Sequence, residues 1–425
     1  MIIQSENKAV EKELRGLEKA LIDEGAWFHD GLAIIDQGGS LSMQMVQPLN
    51  QDELLVKVPE SLLVPTEPLN ISVKGNQFFL DPDKGKMTPA QIDIGQRMFE
   101  IYNLTDKPDL HRREYSWLQF REAPQWMDKL LRARSSNEHY NSRLRFVHNV
   151  QGCMSEDEFV KDSFLKSRVL GQKGKGDKPT KVQKIMPIVD YFNHDFRGSP
   201  FMLPSQEETE RFLRVQNRQP FLHMRECYVT YGLYDTLDTF FGYGFPDIYP
   251  PFVRSVPLEV VIEDIGKIIV KSFPAGHYGK PLHKQISDLK NLMPAVAKNN
   301  DGNLELSHLI IPVDRTPHAL RRILRVLIRT FAGPDASQEF VLKELFKMER
   351  QILEKNIEFY EDLLADLEAS SDTPAHIKAC LLQIATVQRN KLYKYHYNYA
   401  LKAQEAEEGK IETSSQEELQ DPEAA

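Results

Sequence analysis

Met186-Pro-Ile-Val-Asp-Tyr-Phe-Asn-His-Asp195 is the stretch on which the reading of this chain turns. An apolar lead-in ends on a carboxylate, Asp190, and three residues later comes an adjacent amide and imidazole, Asn193 and His194. Two tyrosine-bearing stretches follow, Tyr228-Val-Thr-Tyr-Gly232 and Phe241-Gly-Tyr-Gly-Phe245. Asp190, His194 and Asp195 with no further histidine beside them are a poor ligand set, so no metal is expected. A lone Asn-His on a loop is ordinarily a cap beside a satisfied imidazole. Tyr231 and Tyr243, taken singly, are ordinary half-buried strand aromatics. The order of the pieces, and not any one of them, sets this chain apart from a metal site or a hydrolase.

Upstream, Ser155-Glu-Asp-Glu158 reads as a capping box, with Ser155 as N-cap and Glu158 reaching back. The helix it opens carries Phe159, Phe164 and Leu165 and ends near Ser167-Arg168. Gly171 to Lys184 reads as a basic surface loop. Its Gly174-Lys-Gly lacks the Lys-Ser/Thr ending and the strand–loop–helix frame of a phosphate-binding loop. Residues 89 to 160 read as helical, with the region of Trp117, Phe120 and Trp126 as core. From Trp27 to about Leu80, Gly31-Leu-Ala-Ile-Ile35, Ser42-Met-Gln-Met-Val46 and Leu54-Leu-Val-Lys-Val58 read as strands, with Gly38-Gly39 as a hairpin turn. Val10, Leu14, Leu17 and Leu21, at three- and four-residue steps, make residues 6 to 24 an amphipathic helix.

Downstream, Glu226 to Tyr231 reads as a strand, and Leu258–Ile262 with Lys267–Lys271 as a hairpin turning at Gly266. After Pro281 the pattern is mostly helical. Thr316-Pro317 starts a helix, and its Arg321, Arg322, Arg325 and Arg329 are expected on a solvated face. A long helix spans about Ser337 to Glu368, with Leu345, Ile352, Tyr360, Leu363 and Leu367 on its apolar side. Thr373-Pro374 starts another that folds back on it as an αα-hairpin. The acid-rich tail from about Glu405 is expected to be disordered.

The chain has 425 residues, 41% hydrophobic and 27% charged, which supports a sizeable core and two or three domains. Its formal charge of −9 gives no bulk positive field to recruit nucleic acid. Cys153, Cys227 and Cys380 lie far apart, so neither a zinc cluster nor a disulfide framework is indicated and a reducing compartment is expected. The start of the sequence lacks the basic-then-apolar pattern of a signal peptide, and no apolar run approaches about 20 residues. A soluble cytoplasmic protein without membrane or nucleic-acid partners is the expectation.

Four motifs in order resemble a known family. They are Leu49-Asn-Gln-Asp-Glu-Leu-Leu-Val-Lys-Val-Pro59, then Ser167-Arg168, then Pro187-Ile-Val-Asp190 with Asn193-His194, then Tyr231-Gly232 followed by Tyr243-Gly-Phe245. Together they resemble the SET-domain methyltransferases of the Rubisco large-subunit lysine methyltransferase-like class, and they span most of the chain. Asp52 stands where the family's first motif has glycine. The resemblance implies S-adenosyl-L-methionine as cofactor. It assigns the Asn193 side chain to the methionine moiety and the His194 backbone to the adenine, with Ser167, Arg168 and Asp190 in the same pocket. It makes Tyr231 the main catalytic tyrosine, Tyr243 a wall of the lysine channel, and Phe245 a ring packed on the adenine. The family's G-x-G positions fall on Ser40 and Ser42, which are carried as cofactor-binding. Gly38 and Gly39 lie a small register shift away.

The fold implied is α+β. A SET-domain β fold at 25–250 carries a helical insertion at about 86–160. An N-terminal helix (1–24) precedes it, and an α-helical C-terminal substrate-binding domain (255–404) and the acidic tail (405–425) follow. The function implied is an S-adenosylmethionine-dependent protein-lysine N-methyltransferase acting on a non-histone protein docked on the C-terminal domain. Two alternatives stay open. One is a protein-histidine methyltransferase on the same fold; lysine is favoured because two tyrosines line the inferred channel and Val189, not an aromatic, precedes Asp190. The other is a catalytically degenerate SET module retained as a protein-binding scaffold, motivated by Ser40 and Ser42.

Overall fold

The computed structural model describes residues 1–115, 118, 120–134, 155–173, 181–202, 211–220, 225–262, 265–271, 289, 292–298, 301–313, 318–333 and 335–401. The chain divides into two compact units. One joins Met1–Gln119, Arg145–Tyr234 and Asp238–Tyr249; the other joins Phe120–Leu144, Asp235–Leu237 and Pro250–Ala425. Gly174-Lys-Gly, Trp117, Thr316-Pro317 and the acidic tail lie outside the described residues. No described helix is long and apolar enough to cross a membrane.

In the first unit, β1 (Ile2–Ser5) leads into α1 (Lys8–Asp23), where the Asn7 side chain accepts from the Ala9 and Val10 amides. The residues that define its periodicity, Val10, Leu14, Leu17 and Leu21, are the buried ones. Then come β2 (Trp27–Phe28), β3 (Leu32–Gln37), β4 (Ser40–Met45) and β5 (Leu54–Pro59). Gly38 and Gly39 join β3 to β4 with φ of 59° and 87°, the paired positive values that a tight hairpin turn demands. β6 (Val64–Pro65) and the hairpin of β7 (Ile71–Lys74) and β8 (Gln77–Leu80) precede α2 (Pro89–Leu104) and α3 (Lys107–Glu114). α4 (Pro124–Arg132) belongs to the second unit. α5 (Glu156–Lys166) opens on the expected capping box: the Glu158 amide donates to Ser155 Oγ at 3.2 Å and the Ser155 amide to Glu158 Oε2 at 2.8 Å.

The remaining elements of this unit are β9 (Val169–Lys173), β10 (Lys181–Ile185), β11 (Asn193–Met202), β12 (Phe212–Gln216), β13 (Arg225–Glu226), β14 (Tyr228–Thr230) and α6 (Thr236–Tyr243), the last shared at its start with the second unit. Strand pairing gives sheets ordered β1-β3-β4-β13, β14-β11-β12-β5-β2 and β6-β10-β9. Gly171 to Lys184 is therefore not all loop. Its ends are the antiparallel strands β9 and β10, paired from Val169↔Ile185 to Lys173↔Lys181. Their apolar residues are too sparse to register as a run.

One pairing decides where the motif residues meet. β11 runs parallel to β14, with Asn193 beside Tyr228 and His194 beside Val229. The register then slips, and Ser199 and Pro200 pair with Val229 and Thr230. Gly198 sits in the slip. A Cβ there would lie 2.8 Å from the backbone C and O of Tyr228, so only glycine allows the strands to approach so closely.

In the second unit, β15 (Phe252–Arg254) precedes the expected hairpin of β16 (Leu258–Ile262) and β17 (Gly266–Lys271), and Gly266 has φ 100°. The described residues after Pro281 are mostly helical, as expected, and the expectation is corrected only at its start, where the strands β18 (Ala295–Lys298), β19 (Leu304–Ser307) and β20 (Ile310–Pro312) come first. β18 and β19 extend the hairpin to a sheet ordered β16-β17-β19-β18, while β20 pairs with β15. Every residue of β19 and β20 is buried, so these short strands show no alternation to betray them.

Helices α7 (Ala319–Ala332), α8 (Gln338–Ala369) and α9 (Ala375–Tyr395) follow, and α8 starts at its predicted cap, Ser337. The solvated arginine face is also corrected. Arg321 is buried, and its Nε donates to both oxygens of Glu349 at 2.9 and 3.0 Å. It flanks the apolar stripe of α7 and is drawn in by a carboxylate on α8. Arg322 and Arg329 are exposed as expected. Trp126 of α4 is buried, its Nε1 donating to Thr373 Oγ1 at 2.8 Å.

Candidate active site

The site is built around a backbone turn. Ile188 has φ 64° and ψ −44°, and the Val189 amide donates to the Pro187 carbonyl at 2.7 Å, a γ-turn that a β-branched residue adopts only under strain. The Ile188 side chain is fully buried, so packing holds the strained conformation in place. The turn delivers Asp190 to two partners. Its Oδ2 accepts from Arg168 Nη1 at 2.9 Å and from the Tyr102 hydroxyl at 2.6 Å. Burial raises the Asp190 pKa, and the Arg168 guanidinium works against that rise. Ser167, the C-cap of α5, donates to the Phe164 carbonyl at 2.7 Å, and the Arg168 guanidinium lies 4.5 Å from the Phe164 ring centre.

The second half comes from the parallel pairing. The Tyr231 amide donates to His194 Nδ1 at 3.1 Å, so that nitrogen is an acceptor. His194 Nε2 lies 3.1 Å from Asp247 Oδ2, so with Nδ1 accepting, the ring N–H is placed on Nε2, facing that carboxylate. The Tyr231 ring stacks on His194 with centres 4.8 Å apart, and Tyr243 lies 4.8 Å beyond it. Phe245 is 6.3 Å from Tyr243 and 38% exposed, which leaves its ring open to a planar ligand. The Tyr231 hydroxyl donates to the Phe192 carbonyl at 3.0 Å, and burial raises its pKa, keeping the phenol protonated. Asn193 Nδ2 donates to Glu226 Oε1 at 2.6 Å.

These residues share a cavity of about 310 Å³, at the small end of ligand pockets. Ser40, Ser167, Arg168, Asp190, Asn193, Tyr231, Tyr243 and Phe245 all line it. Ser42 does not; it is paired with Ile35 inside the β3–β4 hairpin. The His194 side chain is also outside the lining, turned toward Asp247 behind Tyr231. Gly38 and Gly39 are consumed by the turn itself, so no register shift brings a glycine to the cavity.

Sequence reasoning missed Asp247 and the contribution of α2 and α3. Asp247 accepts from the Phe196 amide at 3.1 Å and the Tyr249 amide at 2.9 Å as well as facing His194, tying β11 to the segment after Phe245. Tyr102, Lys107, His111, Glu114 and Tyr115 line the cavity from the helices. Burial, and then the Arg168 guanidinium, push the Lys107 pKa down to about 8. The Asp106-Lys-Pro stretch could have been flagged, since it breaks between two helices; nothing in it announces a pocket.

The chemistry of this lining fits S-adenosylmethionine. Cations and the Asn193 amide suit the charged amino-acid end, the aromatic faces suit a sulfonium, and the open Phe245 ring suits an adenine. No family model matches the chain, and no curated protein matches it. Among solved structures it is similar to the SET domain of LSMT bound to lysine and AdoHcy, at 13% identity and a TM-score of 0.42 over 96% of this chain and 95% of that one. It is similar to Rubisco LSMT bound to AdoMet at 13% identity and a TM-score of 0.39, over 96% of each chain. Overlap of this quality lends no weight to an activity, and what the cavity can do follows from its own residues.

Proposed function

We propose that this chain is an S-adenosylmethionine-dependent protein-lysine N-methyltransferase whose protein substrate docks on the C-terminal unit. The observation that carries the reading is the meeting of Asn193 and Tyr231 with Arg168 and Asp190 on one cavity, from separate stretches of the chain. When bound, the cofactor supplies an electrophilic methyl group on sulfur. Arg168, Asp190 and Asn193 hold its amino-acid end, and Phe245 packs its base. Tyr231 spends its proton on the Phe192 carbonyl, so its oxygen lone pairs are available to accept an N–H from an incoming amine. That fixes the direction of the amine's lone pair, where orientation lowers the barrier most. Tyr243 walls the acceptor and keeps water out, and exclusion of water lowers the pKa of a lysine so that it enters as the free base.

The test is transfer from tritiated S-adenosylmethionine into proteins of a lysate. Tyr231→Phe is expected to lower transfer roughly 100-fold through lost orientation, with label found on lysine. Calorimetry showing no cofactor binding to the wild type overturns the reading. Label on histidine redirects it to the other acceptor. One observation favours a further reading, a degenerate scaffold: Ser40, not a glycine, lines the cavity. That reading requires partner capture by a protein that binds no cofactor.

A further inference from the structure

Lys107 stands in the first turn of α3 and lines the cavity, yet no family motif accounts for it. Among the described residues, its ammonium has no hydrogen bond or ion pair. The other cation of the lining, Arg168, spends Nη1 on Asp190 and keeps other N–H groups for a ligand, and Asp190 is further engaged by the Tyr102 hydroxyl. Asp36, a carboxylate close enough to act on Lys107 through space, is held by Ser5 Oγ at 2.5 Å and by the Gly39 amide at 3.0 Å. The cavity therefore presents a largely desolvated ammonium that feels Asp190, Glu114 and Asp36 through space but, among the described residues, is in direct hydrogen-bond or ion-pair contact with none of them.

A cation in such a place is costly unless a ligand completes it. We propose that Lys107 is an anion subsite of the cavity and anchors the α-carboxylate of an amino-acid ligand. The proposal rests on the reading of the cavity as an S-adenosylmethionine site, and it names the α3 lysine as the group that distinguishes the amino-acid end of the cofactor from a neutral thioether. With its pKa near 8, Lys107 is mostly protonated at neutral pH and available for the role.

The test is equilibrium binding by calorimetry of two probes, S-adenosylhomocysteine and 5′-methylthioadenosine. Both carry the adenosine and a thioether, but only the first carries a carboxylate. Lys107→Met is expected to weaken S-adenosylhomocysteine about tenfold or more, as for loss of a charge-assisted contact, and to leave methylthioadenosine unchanged. Lys107→Arg is expected to retain most of the affinity. Wild-type affinity for S-adenosylhomocysteine is expected to fall as pH rises from 7 to 9, a fall absent in Lys107→Met. The variant carries the same Asp36, Glu114, His111, Arg168, Asp190 and cavity tyrosines and so supplies their baseline. Equal weakening of both probes, or of neither, overturns the subsite. A wild type that binds neither probe overturns the reading of the cavity itself, a result distinct from any behaviour of the variants.

Discussion

Lys107 is a residue whose burial in the fold disfavours its own charge. Its folded pKa of about 8 lies below the ordinary 10.5. Between those values the unfolded chain binds more protons, so stability rises with pH across that window, and the penalty is full below it. The depression corresponds to at most about 3 kcal/mol. Lys107→Met is therefore expected to raise the melting temperature at pH 7 and to lose that advantage by about pH 10.5, read by scanning calorimetry at both values. Asp247 acts through another residue. Because it faces His194 Nε2 while the Tyr231 amide occupies Nδ1, Asp247→Asn is expected to disturb the tautomer. Imidazole nitrogen NMR should show a single Nε2–H form in the wild type and a mixture, or a rotated ring, in the variant. Neither residue was legible beforehand, since a lysine before a proline and an aspartate after Tyr-Gly-Phe carry no periodic or spacing signal. Asp190, Asn193, Tyr231, Tyr243 and Phe245 were legible because their order along the chain is unusual, and the fold places them on one cavity.

Elements with a period of their own were legible, and elements defined by their partners were not. α1 buries the residues its spacing picked out, and α8 begins at its predicted cap. Ser337→Ala is expected to cost about 1 kcal/mol in denaturant unfolding by freeing the Phe340 amide. The short buried strands β19 and β20 escaped notice, as did the parallel match of β11 with β14, which no local pattern encodes. That match depends on Gly198. Gly198→Ala drives a methyl into the Tyr228 backbone and is expected to cost about 3 kcal/mol. It should also abolish cofactor binding in the folded fraction, because Asn193 and Tyr231 lose their shared register. Unchanged binding in calorimetry would show that the strands tolerate being spread.

At the scale of the molecule, stability in the second unit converges on one buried carboxylate. Asp235 accepts two 2.8 Å bonds from Arg134, the amides of Leu237 and Arg254, and the side chain of Gln388. Both members of the ion pair are fully buried. Asp235→Ala strands that guanidinium and is expected to cost about 3–5 kcal/mol, seen as a large drop in the denaturant midpoint. Arg134→Met with Asp235→Leu should recover much of the loss, since burying neither charge removes the penalty.

The order of synthesis adds a consequence of the β5–β12 pairing. Strand Leu54–Pro59 is made early, but Phe212–Gln216, which covers one of its edges, emerges roughly 150 residues later. At cellular elongation rates that is a delay on the order of ten seconds or more. Throughout it, the nascent chain carries a Leu-Leu-Val-Lys-Val ribbon with a bare hydrogen-bonding edge. A holdase that shields this ribbon on the ribosome should raise the yield of native protein far more than one supplied after release.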